Sequence, residues 1–115
     1  MYQFSYNDVI EDAPQTMRQH ERDALDRILE LLRDGATKGV DSKPAIEGLY
    51  YLRRLWGIFA QDLSRQENEL PQELRDRLMA LAHWNNLEID RVHRGETTDL
   101  SALIEVNQIV RDGLQ

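Results

Sequence analysis

Residues 45–63 read Ala-Ile-Glu-Gly-Leu-Tyr-Tyr-Leu-Arg-Arg-Leu-Trp-Gly-Ile-Phe-Ala-Gln-Asp-Leu, and this stretch decides the fold. At about 100° per residue, its apolar side chains cover more than twice the arc that a surface helix needs. Only Glu47, Arg54 and Gln61 form a clean polar strip. The apolar face consists of Leu49, Leu52, Leu55, Trp56, Phe59 and Leu63, widened by Tyr51 and Ile58 on one side and by Ile46 and Ala60 on the other. The pattern predicts the central helix of a small bundle, covered by several other elements.

The helix before this stretch is predicted by a proline near its start and a glycine at its end. It begins with Asp12 as its cap and runs to about Asp34, and Gly35 ends it. Ser42 or Asp41 then caps the central helix. The apolar stripe of the first helix consists of Met17, Ala24, Leu25, Ile28, Leu29, Leu31 and Leu32, and Glu21 falls within it.

Two more helices follow the central one. The third begins at Pro71 and stops at Gly95, and the last is capped by Thr97 or Thr98. The third carries on its inner face Leu74, Leu78, Leu81, Ala82, Trp84, Ile89 and Val92, with Asn85 and Glu88 as polar intruders. The last carries Leu100, Leu103, Val106, Val110 and Leu114. Its apolar arc of about 220° predicts that it packs across the third helix and the N-terminus, or that another chain covers part of it.

The predicted fold is all-α, a small bundle of four long helices preceded by a short N-terminal helical or extended segment. Short loops favour antiparallel neighbours, as in an up-and-down bundle. A chain of 115 residues is expected to form a single domain, here over residues 1–115. The aromatic residues before residue 10 are expected to pack as a lid across the bundle.

Composition disfavours several classes of protein. The chain has 14 basic and 21 acidic residues and a net charge of -7, with no cluster of lysines and arginines, so direct nucleic-acid binding is not expected. Its first residues do not resemble a signal peptide, and no apolar run is long enough for membrane insertion. The chain is therefore expected to be cytoplasmic. With no cysteine, it has no disulfide, thiolate metal site or cysteine nucleophile.

Candidates for catalysis or metal binding are weak. Of the three histidines, only His93 follows a carboxylate, that of Asp90, at the one-turn spacing that a bundle metal site uses, and the second such pair that a di-iron bundle requires is missing. The serines are at helix starts or in loops, where capping accounts for them. The glycines lack the spacing of a phosphate-binding loop. We therefore expect no enzyme activity, no catalytic or metal-binding residues and no cofactor.

Polar residues within the apolar stripes allow two interpretations. They are Glu21, Arg53, Glu88 and Asn107, one from each helix. In the first, Arg53 pairs with Glu21 or Glu88 inside the bundle and the amide fixes helix register. In the second, part of the central helix lines a groove for a partner helix, because aromatic residues and arginine dominate binding hot spots. The candidate partner-binding residues are Tyr50, Tyr51, Arg53, Arg54, Trp56 and Asn107.

The chain resembles the FlaF family of flagellar biosynthesis regulators from alphaproteobacteria. The resemblance rests most on the central Tyr-Leu-Arg-Arg-Leu-Trp at 51–56 with Phe59 and Asp62-Leu63. It extends to Met-Tyr-Gln at 1–3, Glu-Arg at 21–22, Leu-Pro at 70–71 and Ile-Glu-Val-Asn at 104–107. The similarity covers essentially the full length. Gly57 and Ala60 depart from the bulkier residues of the family, which affects the shape of any groove.

The resemblance implies a cytoplasmic protein that acts on flagellin production and export. It resembles a flagellin-specific secretion chaperone or regulator, working opposite a second regulator, FlbT, that restrains flagellin translation. The amphipathic terminal helices of flagellin, which are unfolded before assembly, are the expected ligand. Two other hypotheses stay open: regulation of flagellin messenger RNA together with FlbT, and a structural adaptor whose wide apolar faces form a homodimer.

Overall fold

Four helices form an up-and-down bundle in a computed structural model that describes residues 14–65, 68 and 70–113. Helices α1 to α4 span Pro14–Lys38, Lys43–Leu63, Gln72–His93 and Ser101–Asp112. The predicted all-α class is confirmed. The N-terminal segment, its lid role and the Asp12 cap lie outside the described residues, as do the side chains of Met17 and Leu114. None of the described helices combines the length and the apolar character needed to cross a membrane.

Contacts between helices show that neighbours run in opposite directions. Arg53 in the middle of α2 meets Asp90 near the end of α3, and Leu63 at the end of α2 meets Arg75 near the start of α3. The short turn after Lys38 reverses the chain, so that α2 runs antiparallel to α1. The side chain of Ser42 accepts a hydrogen bond from the backbone of α2, as predicted for its cap. The bundle therefore places α2 between α1 and α3.

Helix α4 packs along α1. The guanidinium of Arg111 donates to Asp26, with a shortest distance of 2.7 Å, and Arg33 donates to Gln108. Its inner residue Leu103 is 0% exposed, whereas Ile109 on the outer side is 67% exposed. The predicted wide apolar arc of α4 is therefore only partly covered by the helices that the structure describes.

The core gathers on the inner face of α2. Trp56 is fully buried there and meets Phe59 edge to face, with ring centroids 5.3 Å apart. The surrounding buried residues are Leu25, Ile28, Leu29, Leu32, Ala45, Leu49, Leu52, Leu63, Ala82, Ile89, Val92, Leu100 and Leu103. The predicted stripe of the first helix is confirmed at these positions. Leu74, predicted to face inward, is 39% exposed, because the first turn of α3 meets only the last residue of α2, where Arg75 donates to the carbonyl of Leu63.

Gly35 does not end the first helix, contrary to the prediction. Helix α1 continues to Lys38, and Gly39, with a φ of 113°, makes the turn instead. A Cβ at Gly35 would lie 2.6 Å from the Cα of Ala45, so the missing side chain allows the two helices to touch. Gly35, which the sequence predicts to end the helix, is instead a position where α1 and α2 pack closely.

The start of the last helix also differs from the prediction. Helix α4 begins at Ser101, and its backbone N–H donates to the carboxylate of Asp99 at 2.9 Å. The hydroxyl of Thr97 accepts a hydrogen bond from Asp99 in the preceding turn. Neither threonine caps the helix, because the carboxylate of Asp99 supplies the acceptor two residues before its first turn.

The central helix is covered on one side only. Helices α1 and α3 bury its inner residues, but Tyr50, Tyr51 and Ile58 are 57%, 46% and 44% exposed. Ile46 is exposed as well. The expectation that other elements cover the whole apolar arc is therefore wrong for the described part of the chain, in which α2 presents a second apolar face.

Two helical glycines provide a test of this packing. Replacing Gly35 by alanine should lower the free energy of unfolding by about 2 kcal/mol or more, because the new methyl group overlaps the backbone of Ala45. The same change at Gly57, where nothing lies within 4 Å of an added Cβ, should raise it by about 0.5–1 kcal/mol through helix propensity. Urea denaturation measures both. Similar effects of the two changes would contradict the close contact at Gly35.

Candidate functional site

An open groove with a volume of about 430 Å³ lies between α1 and α2 on the outer surface of the bundle. Most of its lining is apolar. Helix α1 contributes Ala24, Arg27, Ile28 and Leu31, and helix α2 contributes Glu47, Tyr51, Arg54, Leu55 and Ile58. The groove combines exposed apolar side chains with charged groups at its rim.

Helical spacing explains why these residues share one surface. Glu47, Tyr51, Arg54 and Ile58 are separated by four, three and four positions, so they form a line along α2. The close contact at Gly35 holds α1 against α2 at one end of the pair. Along this line, charged and apolar side chains alternate. The arrangement suits a ligand that has an apolar ridge with polar flanks.

The charged side chains of the groove differ in whether they form ion pairs within the chain. Arg27 donates to Glu30 at 2.6 Å on its own helix. Glu47 and Arg54 have no ion-pair or side-chain hydrogen-bond partner within the described part of the chain. They are about two helical turns apart, with Tyr51 between them. These two opposite charges are available to groups of a bound partner.

Of the predicted partner-binding residues, Tyr51 and Arg54 line the groove. Tyr50 is exposed next to it, and its ring meets that of Tyr51 edge to face at 5.2 Å. The structure therefore brings three of the six predicted residues to one surface, around the middle of α2.

Arg53 lies on another side of α2 and serves a different contact. Its guanidinium donates to Asp90 of α3 at 2.6 Å, and both side chains are 41% exposed. This hydrogen bond is the main cause that lowers the pKa of Asp90 below its usual value. The predicted pairing of Arg53 with Glu21 or Glu88 is wrong; Glu88 accepts from Arg91 at 2.6 Å. A half-exposed pair of this kind contributes little stability, so its role is to align α2 with α3.

Trp56 and Asn107 lie inside the bundle, where they offer no surface to a partner. Both are 0% exposed. The indole N–H of Trp56 donates to the Asn107 side-chain oxygen at 2.8 Å, and the Asn107 amide donates to the side-chain oxygen of Asn85 at 2.8 Å. This three-residue network joins α2, α3 and α4. It matches the expectation that an amide fixes helix register.

Removing Asn107 tests this network. Asn107→Ala should lower the free energy of unfolding by about 2–4 kcal/mol, because it leaves the buried indole N–H without an acceptor and creates a cavity. Chemical denaturation measures the change. Gln108→Ala is the matched control; it removes a neighbouring amide that bonds exposed side chains and should cost less than about 0.5 kcal/mol. Equal losses in the two variants would contradict the role given to Asn107.

Glu21 is a buried carboxyl group on the inner side of α1. It is 8% exposed, and its Oε2 atom has no hydrogen-bond partner among the described residues. Burial, followed by the nearby charge of Asp62, raises its pKa from 4.5 to about 8. Asp62 is itself buried and lies 3.7 Å from a guanidinium nitrogen of Arg65. Glu21 therefore favours its protonated form in the folded chain at neutral pH.

The pH dependence of stability tests this assignment. Since the folded state holds the Glu21 proton more tightly than the unfolded state, the contribution of Glu21 to the free energy of unfolding falls as pH rises from 4.5 to about 8. Glu21→Gln removes this dependence. The free energy of unfolding of the variant, relative to that of the wild type, should therefore rise from pH 4.5 to about 8 and stay constant above that pH. A difference between Glu21→Gln and the wild type that stays constant with pH would contradict the raised pKa.

Helical periodicity predicts only part of the groove. It places Ile58 in the covered apolar arc, Glu47 in the polar strip and the apolar residues of α1 in the core. The signal was present in the spacing of 47, 51, 54 and 58, which places two opposite charges and two large apolar residues on one line. A helical wheel cannot show which side of a wide arc the neighbouring helices leave open.

The described residues include no group of three histidine, aspartate or glutamate side chains arranged to hold a metal ion. Asp90, which stands one turn before His93, is engaged by Arg53.

Comparison with known proteins gives one family. Residues 2–114 match the family model of flagellar protein FlaF. Among curated proteins and solved structures there is no match.

Proposed function

Because the chain belongs to the flagellar protein FlaF family, we propose that it promotes flagellum biogenesis by binding flagellin in the cytoplasm, without catalysing a reaction. The activity is that of a secretion chaperone or regulator, which covers an amphipathic helix of flagellin until export. The observation that carries this proposal is the open apolar groove between α1 and α2. A flagellar protein that presents such a groove has the means to shield an apolar helix face.

The dimensions of the groove fit a helix. Tyr51 and Ile58 are seven residues apart, which corresponds to about 10 Å along α2. An amphipathic helix places apolar side chains at the same interval, on positions i, i+3 or i+4 and i+7. Two turns of a bound helix would therefore cover both exposed side chains and contact Ile28 and Leu31 on the floor between the helices.

The rim of the groove would orient such a helix. Glu47 lies at one end of the line and Arg54 near the other, and both are available for ion pairs with the ligand. Exposed pairs of this kind contribute about 0.2–1 kcal/mol each, so they select direction and register more than they provide affinity. Burial of Tyr51 and Ile58 would supply most of the binding free energy.

Binding to purified flagellin tests the proposal. The wild-type chain and monomeric flagellin should co-elute from a sizing column, and calorimetry should give a saturable complex. Ile58→Asp should weaken binding by about tenfold or more, because it places a charge in the apolar groove. Leu87→Asp is the matched control, since Leu87 is 46% exposed, close to the 44% of Ile58, but lies on α3 outside the groove.

The outcomes separate the alternatives. Equal weakening by both aspartate variants would place the binding surface elsewhere. Failure of the wild type to bind flagellin, together with a complex with FlbT, would favour regulation of flagellin translation. Circular dichroism of each variant confirms that a loss of binding is not a loss of fold.

A further inference from the structure

We propose that two copies of this chain associate through the exposed face of α2, in a two-fold symmetric dimer that pairs Glu47 of each copy with Arg54 of the other. The occupant of this surface in the free protein is thus a second copy of the same chain. The proposal goes beyond the binding of flagellin and does not depend on it.

The charges on α2 are arranged as a two-fold axis requires. The midpoint between Glu47 and Arg54 falls between Tyr50 and Tyr51. If two α2 helices cross in opposite directions at this point, each glutamate meets an arginine, and the same pair forms twice. A surface that is complementary to itself in this way forms a closed dimer and not an open chain of molecules.

Neither of these two charges is used inside the bundle. Glu47 and Arg54 have no ion-pair partner in the described part of the chain, whereas the neighbouring Arg53 and Arg27 are engaged by Asp90 and Glu30. The arginine next in sequence to Arg54 thus joins helices within the bundle, while Arg54 points away from them. The fold leaves Glu47 and Arg54, about two turns apart, on the exposed face of α2.

The side chains around the proposed axis are apolar and exposed. Tyr50 and Ile46 are each 57% exposed, and Tyr51 and Ile58 are close to half exposed. Aromatic residues at the centre of a patch, flanked by arginine, are typical of protein interfaces. Gly57 adds to this because no atom lies within 4 Å of the position that its Cβ would take. The missing side chain weakens the helix slightly and lets a second helix approach closely.

The dimer would close the groove described above. When two α2 helices run antiparallel about this axis, the other copy covers Glu47, Tyr51 and Arg54, which line the groove. The area that each copy buries then overlaps the surface that a flagellin helix would use. A second copy and flagellin would compete for it, so the dimer would protect the apolar groove until flagellin is present.

Charge reversal gives a decisive experiment, with sedimentation velocity across a dilution series as the measurement. Wild-type chain should show a reversible monomer–dimer equilibrium. Glu47→Arg and Arg54→Glu should each weaken self-association by about tenfold or more, since each places like charges opposite one another twice. An equimolar mixture of the two variants should associate again, because the arginine introduced in one chain would face the glutamate introduced in the other. The double variant Glu47→Arg/Arg54→Glu should dimerise as the wild type does.

Glu73→Arg on α3 is the matched control, since it reverses an exposed glutamate away from this face and should leave the dimer unchanged. A wild-type chain that stays monomeric at the highest concentration would overturn the proposal, even if flagellin binds. A dimer that both single reversals leave intact would also overturn it, as would a mixture of the two single variants that stays monomeric. None of these measurements contains flagellin, so their failure is distinct from failure of flagellin binding.

Discussion

The bundle depends on the buried hydrogen bond between the indole of Trp56 and the side chain of Asn107. Trp56 is the largest fully buried side chain, and its polar N–H needs an acceptor at the centre of an apolar core. Asn107 supplies that acceptor, and Asn85 binds the Asn107 amide. Because polar atoms that miss their partners in such a site are costly, only one register of three helices satisfies all of them.

This register determines which face of α2 is left outside. With Trp56 turned inward and α1 held close at Gly35, the side chains of Tyr51, Arg54 and Ile58 can only face solvent. A helix that is apolar over more than half of its circumference thus has an inner face that makes the core and an outer face that makes a surface. The outer face exposes apolar area at the expense of solubility, which is typical of binding surfaces.

Much of this architecture could be predicted from the sequence. Helical periodicity and the position of Pro71 predict the number and order of the helices, and the stripes of α1 and α2 identify most of the core. The errors came from residues whose role depends on a neighbour. Glycine commonly ends helices, but Gly35 instead allows α1 to contact α2 closely. Arg53 pairs with Asp90 of another helix, and the periodicity of α2 alone does not predict that partner.

The candidate site was less predictable for the same reason. Arg53 and Arg54 are adjacent in the sequence, and both are predicted to bind a partner, but the fold directs them to different sides of α2. One guanidinium joins α2 to α3, and the other stands at the rim of the groove with no partner in the described part of the chain. A change of about 100° around the helix is enough to turn an internal contact into an external one. The two neighbouring arginines therefore have different roles. Arg53 helps to hold the bundle in the register that Trp56 requires, and this register exposes Arg54 to the molecule that covers α2.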